Sequence, residues 1–392
     1  MHFAQVRLRN FRNHASSALE LGRGINALLG DNGQGKTNII EAVSYLGLTK
    51  SFYAATDAVA LQIGKAEFDI EGRVEAQGGV GHAVRVHYDR EQSIKEYSVD
   101  GTAPETLASV IGRFPVVVLA PEKSAVTFGG PGERRKFIDL ILSQVSRSYL
   151  EDLLEYRRVL RQRNRLLADA RPEGRLEPGV LEPWTAGLLR AGTRIIIRRR
   201  QFVEEFRPYV REAYVRLVSV QEEPDLAYRG TVESAEGDGA EQIAARMEEA
   251  LAARRSEEAR RGMTLVGPHR DDLSLQIAGM GVQQYASQGQ HKSLLVALKI
   301  AEYFYIRERS GEDPVVLLDD VFSELDEHRS TRMLGMLADL GQTIISATDE
   351  RVFHGSVAWN DTHRRFSIEQ GTCTPYGTGR KAERSAAGGG GT

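Results

Sequence analysis

The chain has 392 residues, 41% of them hydrophobic and 27% charged, and a formal net charge of -3. That length exceeds one ordinary domain, and the composition is that of a globular protein in water. One cysteine, Cys373, excludes a disulfide framework and a multi-cysteine metal site, and no stretch approaches the roughly 20 apolar residues of a membrane-spanning helix. Residues 1–12 alternate polar and apolar side chains and lack the apolar core of a signal peptide, so a cytoplasmic protein with no membrane partner is the default expectation.

Ala4, Val6 and Leu8 alternate with Gln5, Arg7 and Arg9, the period-2 pattern of a half-buried strand. The apolar run 25–29 ends at Gly30, and Ile39, Ile40, Val43 and Leu46 follow at helical spacing. Strand patterns recur at 68–74, 83–88 and 116–119. From residue 133 to about 261 they give way to Leu, Ile and Val at helical spacing among many Arg and Glu. Residues 134–216 hold 19 Lys and Arg against 11 Asp and Glu, whereas residues 217–260 hold 5 against 11. The near-neutral average therefore hides a basic helical segment.

Segments 170–183 and 233–239 read as breaks between helices. After Gly262 come a strand at 273–277, a long helix from about Gln288, and buried strands at 315–318 and 343–346. The expected fold class is α/β, with one lobe built from both ends of the chain, residues 1–118 and 262–371. A mainly helical lobe, residues 119–261, is inserted in it, and residues 372–392 form a polar tail expected to be disordered.

Gly30-Asp31-Asn32-Gly33-Gln34-Gly35-Lys36-Thr37 matches G-x-x-x-x-G-K-[ST] in full, between an apolar strand and a helix. Its glycines let the backbone turn so that N–H groups point at phosphate oxygens, and the helix start adds unpaired amides. Lys36 supplies a point charge to the β- and γ-phosphates of ATP or GTP, and the Thr37 hydroxyl suits Mg2+. The apolar run 315–318 ends in Asp319 and Asp320. Mg2+ takes hard oxygen ligands, so Asp319 can hold the ion, and Asp320 can then deprotonate an attacking water. The bland reading of paired acids there is a solvated turn.

Ser287, Gln288, Gly289 and Gln290 open the long helix that precedes the acidic strand. Ser287 and Gln290 fit an S-x-x-Q capping box. The same four residues also resemble the signature element of ABC-type ATPases, which faces the γ-phosphate held by a second protomer. Asp326 then falls where a D-loop aspartate would, and Thr348 takes the switch position where many such ATPases carry histidine. Gln62 is a candidate Q-loop glutamine, or simply a solvated loop residue.

With these residues placed, the chain resembles the RecF family over nearly its full length. The carrying segments are Asn10-Phe11-Arg12-Asn13, the phosphate loop with Asn38, and Leu119-Ala120-Pro121-Glu122. Gly130-Pro131 with Arg134-Arg135 and Arg161-Gln162-Arg163-Asn164 follow. Gly267-Pro268-His269-Arg270-Asp271-Asp272, the signature residues and residues 317–326 complete the set. The resemblance implies an ABC-type P-loop ATPase head with an inserted helical second lobe, related to the heads of SMC proteins. It implies ATP and Mg2+ as cofactors and an ATP-dependent homodimer that holds duplex, gapped or junction DNA. It also implies cooperation with RecR and RecO in loading recombinase. Arg12, Asn13 and Asn38 are carried over as nucleotide contacts, although a buried or solvated Arg-Asn pair fits equally.

Arg134, Arg135, Lys136, Arg157, Arg158, Arg161, Arg163, Arg165 and residues 198–200 could contact DNA phosphates without reading sequence. The alternative is a solvated helix face laced with Glu/Arg pairs. Residues 267–272 could suggest a metal, yet ligands so close in sequence rarely reach one ion together. A competing reading is an SMC-like DNA organiser without an arm, because the 250 positions from Thr37 to Ser287 hold no sustained heptad pattern. The ATPase subunit of a membrane transporter would lack a basic helical insertion, and a phosphotransferase would not need the signature.

Overall fold

The computed structural model describes residues 1–376 except 55, 121–124, 171–178, 219–221 and 234–236. Pro121 and Glu122, most of the break at 170–183, part of that at 233–239, and the tail from residue 377 lie outside the described residues. In chain order the first strands are β1 (His2–Phe11), β2 (His14–Glu20), β3 (Ile25–Leu29), β4 (Glu67–Glu75), β5 (Gly81–Asp89), β6 (Ile94–Val99) and β7 (Val116–Leu119). Then come β8 (Pro224–Arg229), β9 (Asp272–Ile277), β10 (Met280–Gly281), β11 (Val315–Leu318), β12 (Thr343–Ala347), β13 (Arg364–Glu369) and β14 (Thr372–Pro375).

The described chain divides into two compact units. One is drawn from Met1–Ser124, Arg216–Ser219 and Lys292–Thr392, the other from Ala125–Val215 and Val220–His291. This corrects the boundaries expected from the sequence: residues 262–291 belong with the helical unit. Strand pairing is the cause, since β9 pairs antiparallel with β8, a strand inside the stretch that reads as helical, and with β10. Residues 372–375 are likewise no tail, because β14 pairs antiparallel with β13.

In the first unit a six-stranded sheet has the order β14-β13-β3-β12-β11-β7. Its strands β3, β7, β11 and β12 are buried at every position, which is why β7 and β11 read as unbroken apolar runs and β3 and β12 as apolar runs interrupted by Asn26, Thr343 and Ser346. An antiparallel sheet, β2-β1-β4-β5-β6, keeps the alternating pattern of a sheet with one wet face. The helix Lys36–Leu48 is buried on nearly every side and contacts strands of both sheets. Its approach to β4 is so close that a Cβ on Gly72 would lie 2.6 Å from Leu46 Cδ1. Gln342 ties the sheets together: its Nε2 donates to the carbonyls of Phe3 (2.8 Å) and Gly22 (2.7 Å), and its Oε1 accepts from Phe3 N (2.8 Å).

In the second unit the helix Arg147–Ala170 buries Tyr149, Leu153, Tyr156, Val159, Arg163 and Leu167 at helical spacing. Much of its polar interior is organised by residues 267–272. Arg199, 2% exposed, donates to the Pro268 carbonyl and the Asp139 carboxylate, both at 2.7 Å. Asp271 accepts from Thr231 N at 2.7 Å and from the Tyr228 hydroxyl. Asp272 takes Arg134 through two bonds of 2.7 Å. Asp271 and Asp272 are thus engaged with separate partners, and the segment braces the unit.

His269 lies 2.6 Å from the Tyr156 hydroxyl through Nδ1 and 3.1 Å from the Thr264 carbonyl through Nε2. A carbonyl only accepts, so Nε2 carries a proton. Burial holds its pKa down, from 6.5 to about 4. As pH falls from 6.5 towards 4 the unfolded chain gains a proton that the folded one refuses, so stability is lost, on the order of 2 kcal/mol. Melting curves at about pH 7 and about pH 4.5 should show His269→Asn less acid-sensitive than the parent; equal sensitivity would place the effect elsewhere.

Candidate nucleotide site

The phosphate loop leaves β3 through Gly30, Gly33 and Gly35, with φ of 154°, 79° and 111°. At Gly35 the left-handed backbone coincides with crowding, since a Cβ there would lie 2.5 Å from Asn13 Oδ1. Gly35 caps the helix Lys36–Leu48, whose unpaired amides therefore open onto the loop. The Lys36 ammonium turns back into it and donates to the Gly30 (2.6 Å) and Asp31 (2.7 Å) carbonyls. Burial lowers its pKa, partly opposed by the charges of Asp320, Asp319 and Asp31.

Two turns grip this loop. Asn13, between β1 and β2, donates to the Gln34 carbonyl (3.0 Å) and accepts from Asn38 Nδ2 (2.7 Å), while His14 Nε2 meets the Gly35 carbonyl at 3.0 Å. From the turn between β13 and β14, Gly371 N donates to Gln34 O (2.9 Å) and Gln370 N to Gln34 Oε1 (2.6 Å). Asn13, Asn38 and the Gln34 side chain thus hold the shape of the loop. Arg12 is also engaged by the protein: its Nε and Nη2 each donate to Glu41 at 2.8 Å, and Nη1 donates to the Val59 carbonyl at 2.9 Å. Burial opposes its charge, yet the hydrogen bond and charge of Glu41 outweigh that and raise its pKa.

At the end of β11, Asp319 is 4% exposed and accepts the Thr37 hydroxyl at 2.9 Å, which joins the acidic strand to the phosphate loop. Asp320 follows in a left-handed conformation, φ 46°. Among the described residues its carboxylate has no hydrogen-bond partner; its backbone N donates to Ser346 Oγ and its carbonyl accepts from Ser323 Oγ, both at 2.8 Å. Ser346 also donates to Asp319 Oδ1 at 2.6 Å. Among the described residues no three His, Cys, Asp or Glu side chains converge on one point. Mg2+ needs no such cage, because it keeps waters and substrate phosphates as ligands. A hydroxyl and a carboxylate in contact at the foot of a phosphate loop fit that ion.

Thr348 is exposed just past β12 and lines a cleft with Gly30, Asp31 and Gln34. Gln62 is half-buried; its N donates to Asn10 O at 2.9 Å, and its Oε1 has no donor among the described residues. Asp326 caps the helix Glu327–Leu337 by accepting from Arg329 N at 2.9 Å.

In the second unit, Ser287 N donates to Gln290 Oε1 (2.7 Å) and Gln290 N to Ser287 Oγ (3.2 Å), a capping box on the helix Gln288–Ser310. Ser287 and Gln288 are exposed there. Among the basic candidates, Arg134, Arg163 and Arg199 are buried in ion pairs. Lys136, Arg157 and Arg165 pair with Glu133, Asp139 and Asp169. Arg135 donates to the Asp271 carbonyl at 2.7 Å and Arg198 to Gln201 at 2.9 Å. Arg158 and Arg161 are exposed. Sequence reasoning missed Ser346, His14 and Glu41; for Ser346 and Glu41 the signal was a polar residue amid apolar neighbours in a strand or helix, and for His14 there was none.

A family model described as the RecF/RecN/SMC N terminal domain matches residues 2–373. The DNA replication and repair protein RecF of Chloroherpeton thalassium is 40% identical over 356 residues, which is 90% of this chain and 96% of that protein. The protein of the same name from Salinibacter ruber is 39% identical over 392 residues, 98% of this chain and 95% of that one. The chain belongs to the RecF family. A solved RecF-ATPrS structure, described as a recombination mediator protein in the RecFOR pathway, matches with a TM-score of 0.87 at 28% identity, over 96% of this chain and 98% of that one. An Smc head bound to the C-winged helix domain of ScpA matches at 0.55 and 14% identity and shows a shared fold alone. RecF membership and the ABC-type head with helical insertions are as the motifs led one to expect, and the ATPase class read from the phosphate loop is that of the family. No helix among the described residues is long and apolar enough to cross a membrane.

Proposed function

We propose that the protein is an ATP-dependent DNA-binding ATPase of recombinational repair. On ATP it forms a homodimer at gapped or junction DNA and helps load recombinase together with RecR and RecO. Hydrolysis, slow and stimulated by DNA, resets it. The observation that carries the ATPase reading is the 2.9 Å hydrogen bond from Thr37 to Asp319, which assembles a phosphate site and an acidic site into one centre. The names of the relatives, DNA replication and repair proteins and a RecFOR mediator, support the pathway.

The loop amides of Gly30, Asp31, Asn32, Gly33, Gln34 and Gly35 cradle phosphate oxygens, and Lys36 trades its two loop carbonyls for the β- and γ-phosphates. Thr37 and Asp319 would hold Mg2+, which neutralises charge developing between those phosphates. Asp320, its carboxylate uncommitted, takes a proton from the attacking water. Ser287, Gln288, Gly289 and Gln290 present a helix start to the γ-phosphate of a partner protomer, because an N-terminal dipole favours an anion. Gln62, Asp326 and Thr348 serve as Q-loop, D-loop and switch residues. Exposed Arg158 and Arg161 meet DNA phosphates without reading sequence.

Light scattering with and without ATP and Mg2+ tests the dimer. The parent should dimerise on ATP. Ser287→Asp keeps a good capping side chain but sets a carboxylate against an anion, so it should weaken the dimer roughly tenfold or more with little change in melting temperature. A parent that stays monomeric with ATP, or an undiminished Ser287→Asp dimer, removes the shared composite site.

A further inference from the structure

Ser346 is a polar residue, 1% exposed, near the end of β12, whose other members are Thr343, Ile344, Ile345 and Ala347. β12 lies between β3 and β11, the strands that lead to the phosphate loop and to the acid pair. Ile345 pairs with Leu318, so Ser346 is one step further on, beside the acids. Its hydroxyl donates to Asp319 Oδ1 at 2.6 Å and accepts from Asp320 N at 2.8 Å. One proton and two lone pairs allow both bonds at once.

These two bonds act on two consecutive residues. The first adds a second hydroxyl donor to the Asp319 oxygen that Thr37 already binds. With both protons directed at Asp319, Thr37 keeps its lone pairs for an incoming ion. The second bond holds the backbone at Asp320, whose φ of 46° is uncommon for a residue with a Cβ. We infer that Ser346 is a positioning residue of the ATPase centre, which fixes the Asp319 carboxylate for Mg2+ and the Asp320 backbone for the attack of water, without touching the nucleotide. This rests on the proposed reading of Asp319 and Asp320.

The test uses the full chain with Ser346→Ala and Ser346→Thr. Four quantities are measured: affinity for a fluorescent ATP analogue in EDTA, Mn2+ binding by electron paramagnetic resonance in the presence of a non-hydrolysable ATP analogue, turnover, and melting temperature. Ser346→Ala should keep its nucleotide affinity in EDTA within about twofold, raise the Mn2+ half-saturation roughly tenfold, and lower turnover roughly tenfold or more, because a hydrogen bond to a charged group is lost. Ser346→Thr, which restores the hydroxyl, should recover both metal binding and turnover. Parental Mn2+ binding and turnover in Ser346→Ala would overturn the inference, as would equal impairment in both variants, which would point to packing volume. Should Ser346→Ala fail to fold, Ser346→Cys, of similar size and a weak donor, is judged by the same criteria. A parent that binds no nucleotide would instead defeat the proposed function.

Discussion

Lys36→Ala is expected to lower ATP affinity by roughly a hundredfold or more. Each charge-assisted bond from the ammonium to a phosphate contributes about 1.5–3 kcal/mol, and Lys36 is placed to make two. Arg12 is not available in its place, since it is tied to Glu41 through two of its nitrogens. Lys36→Arg should fail as well. A buried ammonium donating to the Gly30 and Asp31 carbonyls occupies a space shaped for a point charge, and a planar guanidinium is wider. Titration calorimetry with ATP and Mg2+ decides the matter: near-parental affinity in Lys36→Ala would show that nucleotide binds elsewhere.

Asp320→Asn should separate binding from hydrolysis. The backbone bonds of Asp320 to Ser346 and Ser323 do not involve its carboxylate, and asparagine tolerates the left-handed conformation. The variant should therefore fold, bind ATP and dimerise. Phosphate release should fall by about two to four orders of magnitude, the usual contribution of a general base, and the ATP-bound dimer should outlive the parental one. Turnover at the parental rate would exclude Asp320 as the base.

The phosphate loop and the acidic strand were legible because their chemistry is local: glycines where the backbone turns, a lysine and a threonine at a helix start, two carboxylates after an apolar run. What grips the loop was not legible. Asn13 and Gly371 meet at Gln34 from opposite ends of the chain, and only strand pairing brings them there. The arginine-rich segment misled for a related reason. Arg134, Arg163 and Arg199 look like a phosphate-binding surface in sequence, but Asp272, Glu258 and Asp139 claim them in the folded unit. At Ser287 and Gln290 the cap and the signature use the same side chains, so pattern alone leaves both open. The β8 strand was missed because it is a six-residue segment in a stretch read as mainly helical, and its partner follows only at Asp272.

The place of β3 in its sheet has a consequence for how the protein is made. β3 is flanked by β12 and β13, so Ile25 pairs with Thr343 and Asn26 with Arg364. A ribosome that has released the first hundred residues has therefore released a glycine loop with neither lateral support for the strand below it nor the acid that completes it. Nucleotide has nothing to stabilise until the last strands emerge. Assembly of the centre is dominated by contacts of very high sequence separation and is correspondingly slow, and a chain cut before Thr343 keeps every phosphate-loop residue yet lacks both strands that flank β3.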